Sequence, residues 1–110
     1  MNQYEASLSY ATSSPIKMEL VAKLVRGKDT TQALELLHFL PKKPARTLTK
    51  LIKSAQASAK QAQGTEVASV VSTIDVGPWP KLRRMRFASR ARIHGYTRHR
   101  SFVRVVLTTK

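Results

Sequence analysis

Eight of the twenty residues in KLRRMRFASRARIHGYTRHR, positions 81–100, are Lys or Arg, and none is Asp or Glu. Seven of those eight are Arg. A guanidinium carries its donors in a planar fork that grips phosphate bidentately and stacks on flat rings, which an ammonium does not do. The cations this stretch offers to a polyanion are Lys81, Arg83, Arg84, Arg86, Arg90, Arg92, Arg98 and Arg100. Trp79, Phe87 and Tyr96 are interleaved with them, a pattern suited to stacking on nucleobases. Trp79 lies between Pro78 and Pro80, so packing at a strand corner is its alternative reading.

The rest of the chain sharpens this asymmetry. The net charge is +14 over 110 residues. Residues 1–75 hold ten basic and six acidic side chains, whereas residues 76–110 hold ten basic and no acidic ones. Charge on this scale concerns partners more than fold. Nucleic acid is the first expectation, an anionic membrane the second.

Other chemistry is poorly represented. His94 and His99 have no Cys, Asp or Glu nearby for a metal site or an acid–base pair, and His38 sits in a leucine-rich segment as a surface or boundary residue. The four glycines are isolated, so no phosphate-cradling loop is encoded. With no cysteine there is no disulfide or thiolate metal site, which fits a reducing compartment. No apolar run approaches the ~20 residues of a membrane span. The start, MNQYEASLSY, lacks the basic and apolar regions of a signal peptide, and with Glu5 and no Arg it is a poor transit peptide. The expectation is a soluble intracellular protein that is not an enzyme and has no cofactor and no metal.

Elements must position the basic stretch. Residues 3–10 alternate with Tyr4, Ala6, Leu8 and Tyr10 on one side and read as a strand. Ser14 as N-cap, Pro15 at the first helical position and Gly27 just past the end predict a helix over 15–26, with an apolar stripe of Ile16, Leu20, Val21 and Leu24. Asp29 and Gln32 have capping-box spacing for a second helix over 30–40, carrying Ala33, Leu34, Leu37 and Leu40 and ended by Pro41. Glu19 and Glu35 read as surface partners of Lys23 and His38. A third helix starts near Pro44, with Leu48, Leu51, Ile52, Ala55 and Ala59 inward and Arg46, Lys50, Lys53 and Lys60 outward, and stops at Gln63-Gly64. The period then becomes two. Strands are predicted over 67–76, with Val70, Ile74 and Val76 on one face, and over 101–109, with Val103, Val105 and Leu107 on one face. Gly77-Pro78 and Pro80 interrupt the first of them.

The connector of about 24 residues is too long for a structureless loop in a compact domain. Its own period is two: Arg84 and Arg86 alternate with Met85 and Phe87, and Arg90 and Arg92 with Ala91 and Ile93. It reads as a ribbon with one basic and one apolar or small edge, turning near Ala88-Ser89. From Val76 to the turn is roughly 40 Å at ~3.3 Å per residue. A 75-residue globule has a radius of gyration of roughly 11 Å, so the ribbon must project from it. Alone in water such a ribbon is marginal, and surrounding phosphates are the natural way to order it.

Several blocks resemble one family, the universal ribosomal protein twenty-two of the large subunit in its bacterial form. SSPIKMELVAKLVRGKDTTQAL resembles its first two helices, PKKPARTLTKLIKSAQASA its linker and third helix, and DVGPWPKLRRMRFASRA its hairpin entry and tip. The resemblance covers about residues 4–109. It implies an α+β fold, three helices packed on a three-stranded antiparallel sheet with a long protruding basic β-hairpin. The expected layout is a single domain over 1–110, with a body of 1–76 and 101–110 and a hairpin of about 77–100. Lys81, Arg86 and Arg90 match basic hairpin positions of the family. Ser14, Lys17, Arg26, Lys28, Lys42 and Lys43 match positions on its RNA-facing side. Phe87, Ala88, Ser89, Arg90 and Ala91 correspond to its tip in the tunnel. The chain departs from the pattern at Ser89, where glycine is usual, at Met85 and Phe87, at Ser58, where asparagine is usual, and along Arg98-His99-Arg100-Ser101-Phe102.

The resemblance implies a structural constituent of the large subunit that binds its ribosomal RNA, with the body outside near the exit and the hairpin lining the peptide exit tunnel. Implied partners are that RNA, neighbouring large-subunit proteins and the nascent polypeptide, with no membrane and no homo-oligomer. The implied place is a cytoplasmic ribosome, with an organellar one left open. The rival reading is a DNA-architectural protein with a basic β-arm in a groove. That design normally needs two arms held by a dimer.

Overall fold

The computed structural model describes residues 2–66, 68–87 and 93–109. In chain order the elements are β1 (Gln3–Ala11), α1 (Pro15–Val25), α2 (Thr30–Phe39), α3 (Lys43–Gln63), β2 (Ser69–Phe87) and β3 (Ile93–Thr109). The strands form one antiparallel sheet in the order β1-β3-β2. This is the expected α+β architecture of three helices on a three-stranded sheet.

The core lies between the helices and one face of the sheet. Val103, Val105 and Leu107 on the central strand are fully buried, as their alternation predicts. Leu48, Leu51, Ile52, Ala55 and Ala59 line the inner face of α3, and Ala33 and Leu37 that of α2, with Leu34 and Leu40 packed at the margin. Gly64 ends α3 and Gly27 follows the end of α1, both with positive φ, the left-handed conformation that glycine adopts without a Cβ penalty.

α1 corrects the sequence reading. Its core face is Met18, Val21, Ala22 and Val25, while Ile16, Leu20 and Leu24 point outward at 77%, 62% and 48% exposure. The helix carries two apolar stripes, and its docking chooses between them. Gly27 N donates to Val71 O (2.8 Å) and Val71 N donates to Lys28 O (2.9 Å), which pins the turn after α1 against β2. Those bonds set the rotation of the helix.

Both outer strands depart from strict alternation. At Tyr10, φ is +58° and the β1–β3 register shifts, so that Ala11 rather than Tyr10 enters the core. A second shift between Val71 and Thr73 puts Val71 and Ile74 in the core and leaves Val70 and Val76 half-buried. The Ser72 hydroxyl at that bulge donates to Val106 O (3.1 Å).

The prolines do not end the strand before the arm. β2 runs unbroken through Gly77, Pro78, Trp79 and Pro80, with a register shift between Trp79 and Leu82. An edge strand with a bulge tolerates residues that cannot donate to the ladder. β1 reaches only the Ala11↔Ser101 pair, while β2 and β3 continue together to Phe87↔Ile93. The arm is therefore a prolongation of two sheet strands. The radius of gyration is 17.0 Å and the long axis 62 Å, against about 13 Å for a compact chain of this length. The turn expected near Ala88-Ser89 lies outside the described residues.

Candidate nucleic-acid interface

The arm is anchored by an aromatic cluster at its root. The Trp79 ring stacks on Phe102 (centroids 5.3 Å apart) and meets Tyr10 edge-on (5.9 Å). Of the two readings for Trp79, packing at a strand corner is the one observed. Its Nε1–H is buried with no hydrogen-bond partner among the described residues. That costs about 1–3 kcal/mol, offset in part by two ring contacts worth about 0.5–1.5 kcal/mol each. Ser101 braces the same region, its hydroxyl donating to Ser13 O (2.9 Å) in the turn between β1 and α1.

Beyond the root the register sorts the cations. Leu82 pairs with Arg98, Arg83 with Thr97, Arg84 with Tyr96 and Met85 with Gly95. Directly opposed residues share a face, so Arg84 and Arg98 fall on one side and Arg83, Met85 and Thr97 on the other. The basic and apolar sets read as two edges are thus two faces, and Arg83 stands on the apolar one. Lys81, Arg83, Arg84 and Arg98 are exposed and Arg100 is half-buried. Arg84 and Arg100 each donate one bond to an adjacent carbonyl, Arg83 O (2.9 Å) and His99 O (3.5 Å). The side chains of Arg86 and Phe87, and residues Ala88, Ser89, Arg90, Ala91 and Arg92, lie outside the described residues.

On the body, Ser14 is the N-cap of α1, and Lys17 is exposed in its first turn. Lys42 is the N-cap of α3 and Lys43 its first residue, both exposed. None of the three helices has an acid in its first turn, where one would offset the dipole. The capping box expected at Asp29 and Gln32 is not closed by a side-chain cap bond from Asp29, although Asp29 is the N-cap. Lys28 is exposed in the turn that docks on β2.

Arg26 is committed within the fold. Its Nη1 and Nη2 donate to the two carboxylate oxygens of Glu19, and Nε (3.1 Å) and Nη2 donate to Ile74 O. The bond from Arg26 holds the Glu19 carboxyl below its ordinary range, and Glu19 in turn raises Arg26. Glu19 is thus bonded chiefly to Arg26, while the Lys23 read as its partner adds a weaker Coulombic attraction. On the outer face of the sheet, Arg104 bonds Asp75 (2.7 Å) and lies 3.6 Å from Glu5. The bond to Asp75 raises the Arg104 guanidinium. Lys60 lies 3.8 Å from Glu66. Four of the chain's six acids thus sit against body cations.

Sequence reasoning gave no role to Phe39. It reads as one more apolar residue of a leucine-rich helix, yet it is 80% exposed. The available signal was its place off the Ala33–Leu37 stripe.

A small α+β body thus extends two strands into a basic arm while the chain's six acids all stay within the body, the build of a structural protein and not of a catalyst's pocket. A model of the family described as ribosomal protein L22p/L17e matches residues 6–108. The large ribosomal subunit protein uL22 of Bdellovibrio bacteriovorus is 41% identical over 109 residues, covering 98% of this chain and 99% of its own. Those of Desulfotalea psychrophila (42% identical; 89% and 90% covered) and Geobacter metallireducens (38%; 96% of each) are similar. The chain belongs to the ribosomal protein L22p/L17e family, a family of structural, non-enzymatic ribosomal proteins. Bacterial members of that family belong to the large subunit in the cytoplasm.

Proposed function

We propose that the chain, acting as one domain, binds large-subunit ribosomal RNA, with its body on the subunit exterior near the exit and its arm lining the peptide exit tunnel. The arm carries the proposal: β2 and β3 run on together to Phe87↔Ile93, and the sequence of residues 81–100 holds eight cations and no acid. Its arginines bridge phosphates from separate RNA segments, which positions the protein without reading sequence. Neighbouring large-subunit proteins and the nascent polypeptide complete the partners. Lys17, Lys42 and Lys43 contribute at the body, at the acid-free N-termini of α1 and α3, which favour an anion, and Lys28 contributes from the turn that docks on β2.

Two measurements test this. Binding to large-subunit RNA should weaken with salt by roughly 0.7–0.9 in log K per log salt for each phosphate neutralised. A flat response, or recovery of the protein from extracts only with DNA, overturns RNA binding. The chain has no cysteine, so Ser89→Cys creates a unique thiol. In ribosomes stalled in mid-translation that thiol should cross-link to the nascent chain. Cross-links to surface proteins alone would refute the tunnel position.

A further inference from the structure

The groove between α2 and α3 has a composition that the arm and the helix N-termini do not explain. It measures about 630 Å³ and is lined by His38, Phe39 and Leu40 on one side and by Arg46, Lys50 and Lys53 on the other. The three cations fall at i, i+4 and i+7 on α3, one face of the helix, and all three are exposed. None of the four ion pairs found among the described residues involves them. Phe39 is the most exposed large apolar side chain described, and its one ring contact is edge-on with His38 (5.3 Å). Glu35 lines the neighbouring hollows beside Phe39 but not this groove. The volume lies within the ~300–1,000 Å³ of clefts that hold small ligands.

We infer that this groove is a second RNA site, taking an unpaired nucleotide whose base stacks on Phe39 while Arg46, Lys50 and Lys53 hold the flanking phosphates. This rests on the ribosomal-RNA reading and adds to it a specific pocket and a ligand class. An aromatic face is sequence-tolerant because every base offers a π-surface. A row of unpaired cations at helical spacing favours a phosphodiester backbone over an apolar protein segment.

The test uses the full chain and a large-subunit RNA transcript. Phe39→Leu keeps an apolar side chain but removes the ring, and should weaken binding by roughly 5- to 100-fold with the salt slope unchanged. Phe39→Trp should restore it. Lys50→Gln should instead lower the salt slope by roughly 0.7–0.9. Ultraviolet cross-linking of purified large subunits should attach a nucleotide at Phe39, read by mass spectrometry. Unchanged affinity for Phe39→Leu, or a cross-link from this groove to a protein, overturns the inference. Arm-charge variants separate the two readings. If they weaken binding while Phe39→Leu does not, this site alone fails. If the unmodified chain shows no RNA binding, the ribosomal-RNA reading fails as well.

Discussion

Arg26 shows how one side chain can be drawn from surface chemistry into structure. It joins the end of α1 to Glu19 and to the β2 carbonyl of Ile74, so most of its donors are used inside the protein. Glu19 has a depressed folded pKa, caused chiefly by the hydrogen bond from Arg26. Its stabilising contribution is therefore fully present above its ordinary value of 4.5 and is lost as pH falls through the lower folded value. Glu19→Gln should be less stable than the parent at neutral pH, and the gap should close in acid. Because the pair is a third exposed, the difference should not exceed about 1 kcal/mol. Urea midpoints of the two proteins at neutral pH and at about pH 3 check this. Arg26→Ala should cost more, about 1–3 kcal/mol, because it also strips a partner from Ile74 O.

At the scale of elements, the two stripes of α1 make opposite predictions. Met18, Val21, Ala22 and Val25 are packed, and Ile16 is 77% exposed. Ile16→Ala should therefore change stability by no more than about 0.5 kcal/mol. Ile52→Ala on α3, where the side chain is fully buried, should cost about 2–5 kcal/mol by leaving a cavity. Guanidinium unfolding followed by circular dichroism separates the two. A large loss at Ile16 would mean that the outward stripe is packed after all. The helices were legible because Pro15, Gly27, Pro41, Pro44 and Gly64 punctuate them. The rotation of α1 was not, because it depends on backbone bonds to Val71, a residue 44 positions beyond Gly27.

For the whole molecule, stability and binding are carried by different parts. The core lies under the three-stranded region, and the cations of the arm lie beyond it. Replacing Lys81, Arg83 and Arg84, all exposed, together by Gln should leave the thermal midpoint of the free protein near that of the parent. It should also reduce the salt slope of RNA binding by roughly 0.7–0.9 for each side chain that neutralises a phosphate. Calorimetry and filter binding measure these separately. A large drop in the midpoint would show that the arm supports the body. The 62 Å long axis gives the arm its reach.

Amino-acid order alone determined the element types, the inner face of α3, the buried alternation of β3 and the charge of the arm. Each follows from local periodicity, capping chemistry or composition, which need no distant partner. Tertiary structure decided which stripe of α1 is core, where β1 and β2 shift register, and that the strand passes through Pro78 and Pro80. It also decided that Trp79 packs between Tyr10 and Phe102, that Arg26 is spent on Glu19 and Ile74, and that Phe39 is left outside. Those outcomes depend on contacts between residues far apart in the chain. A helix with two apolar stripes, or a strand able to bulge, has more than one acceptable local solution until the rest of the fold packs against it.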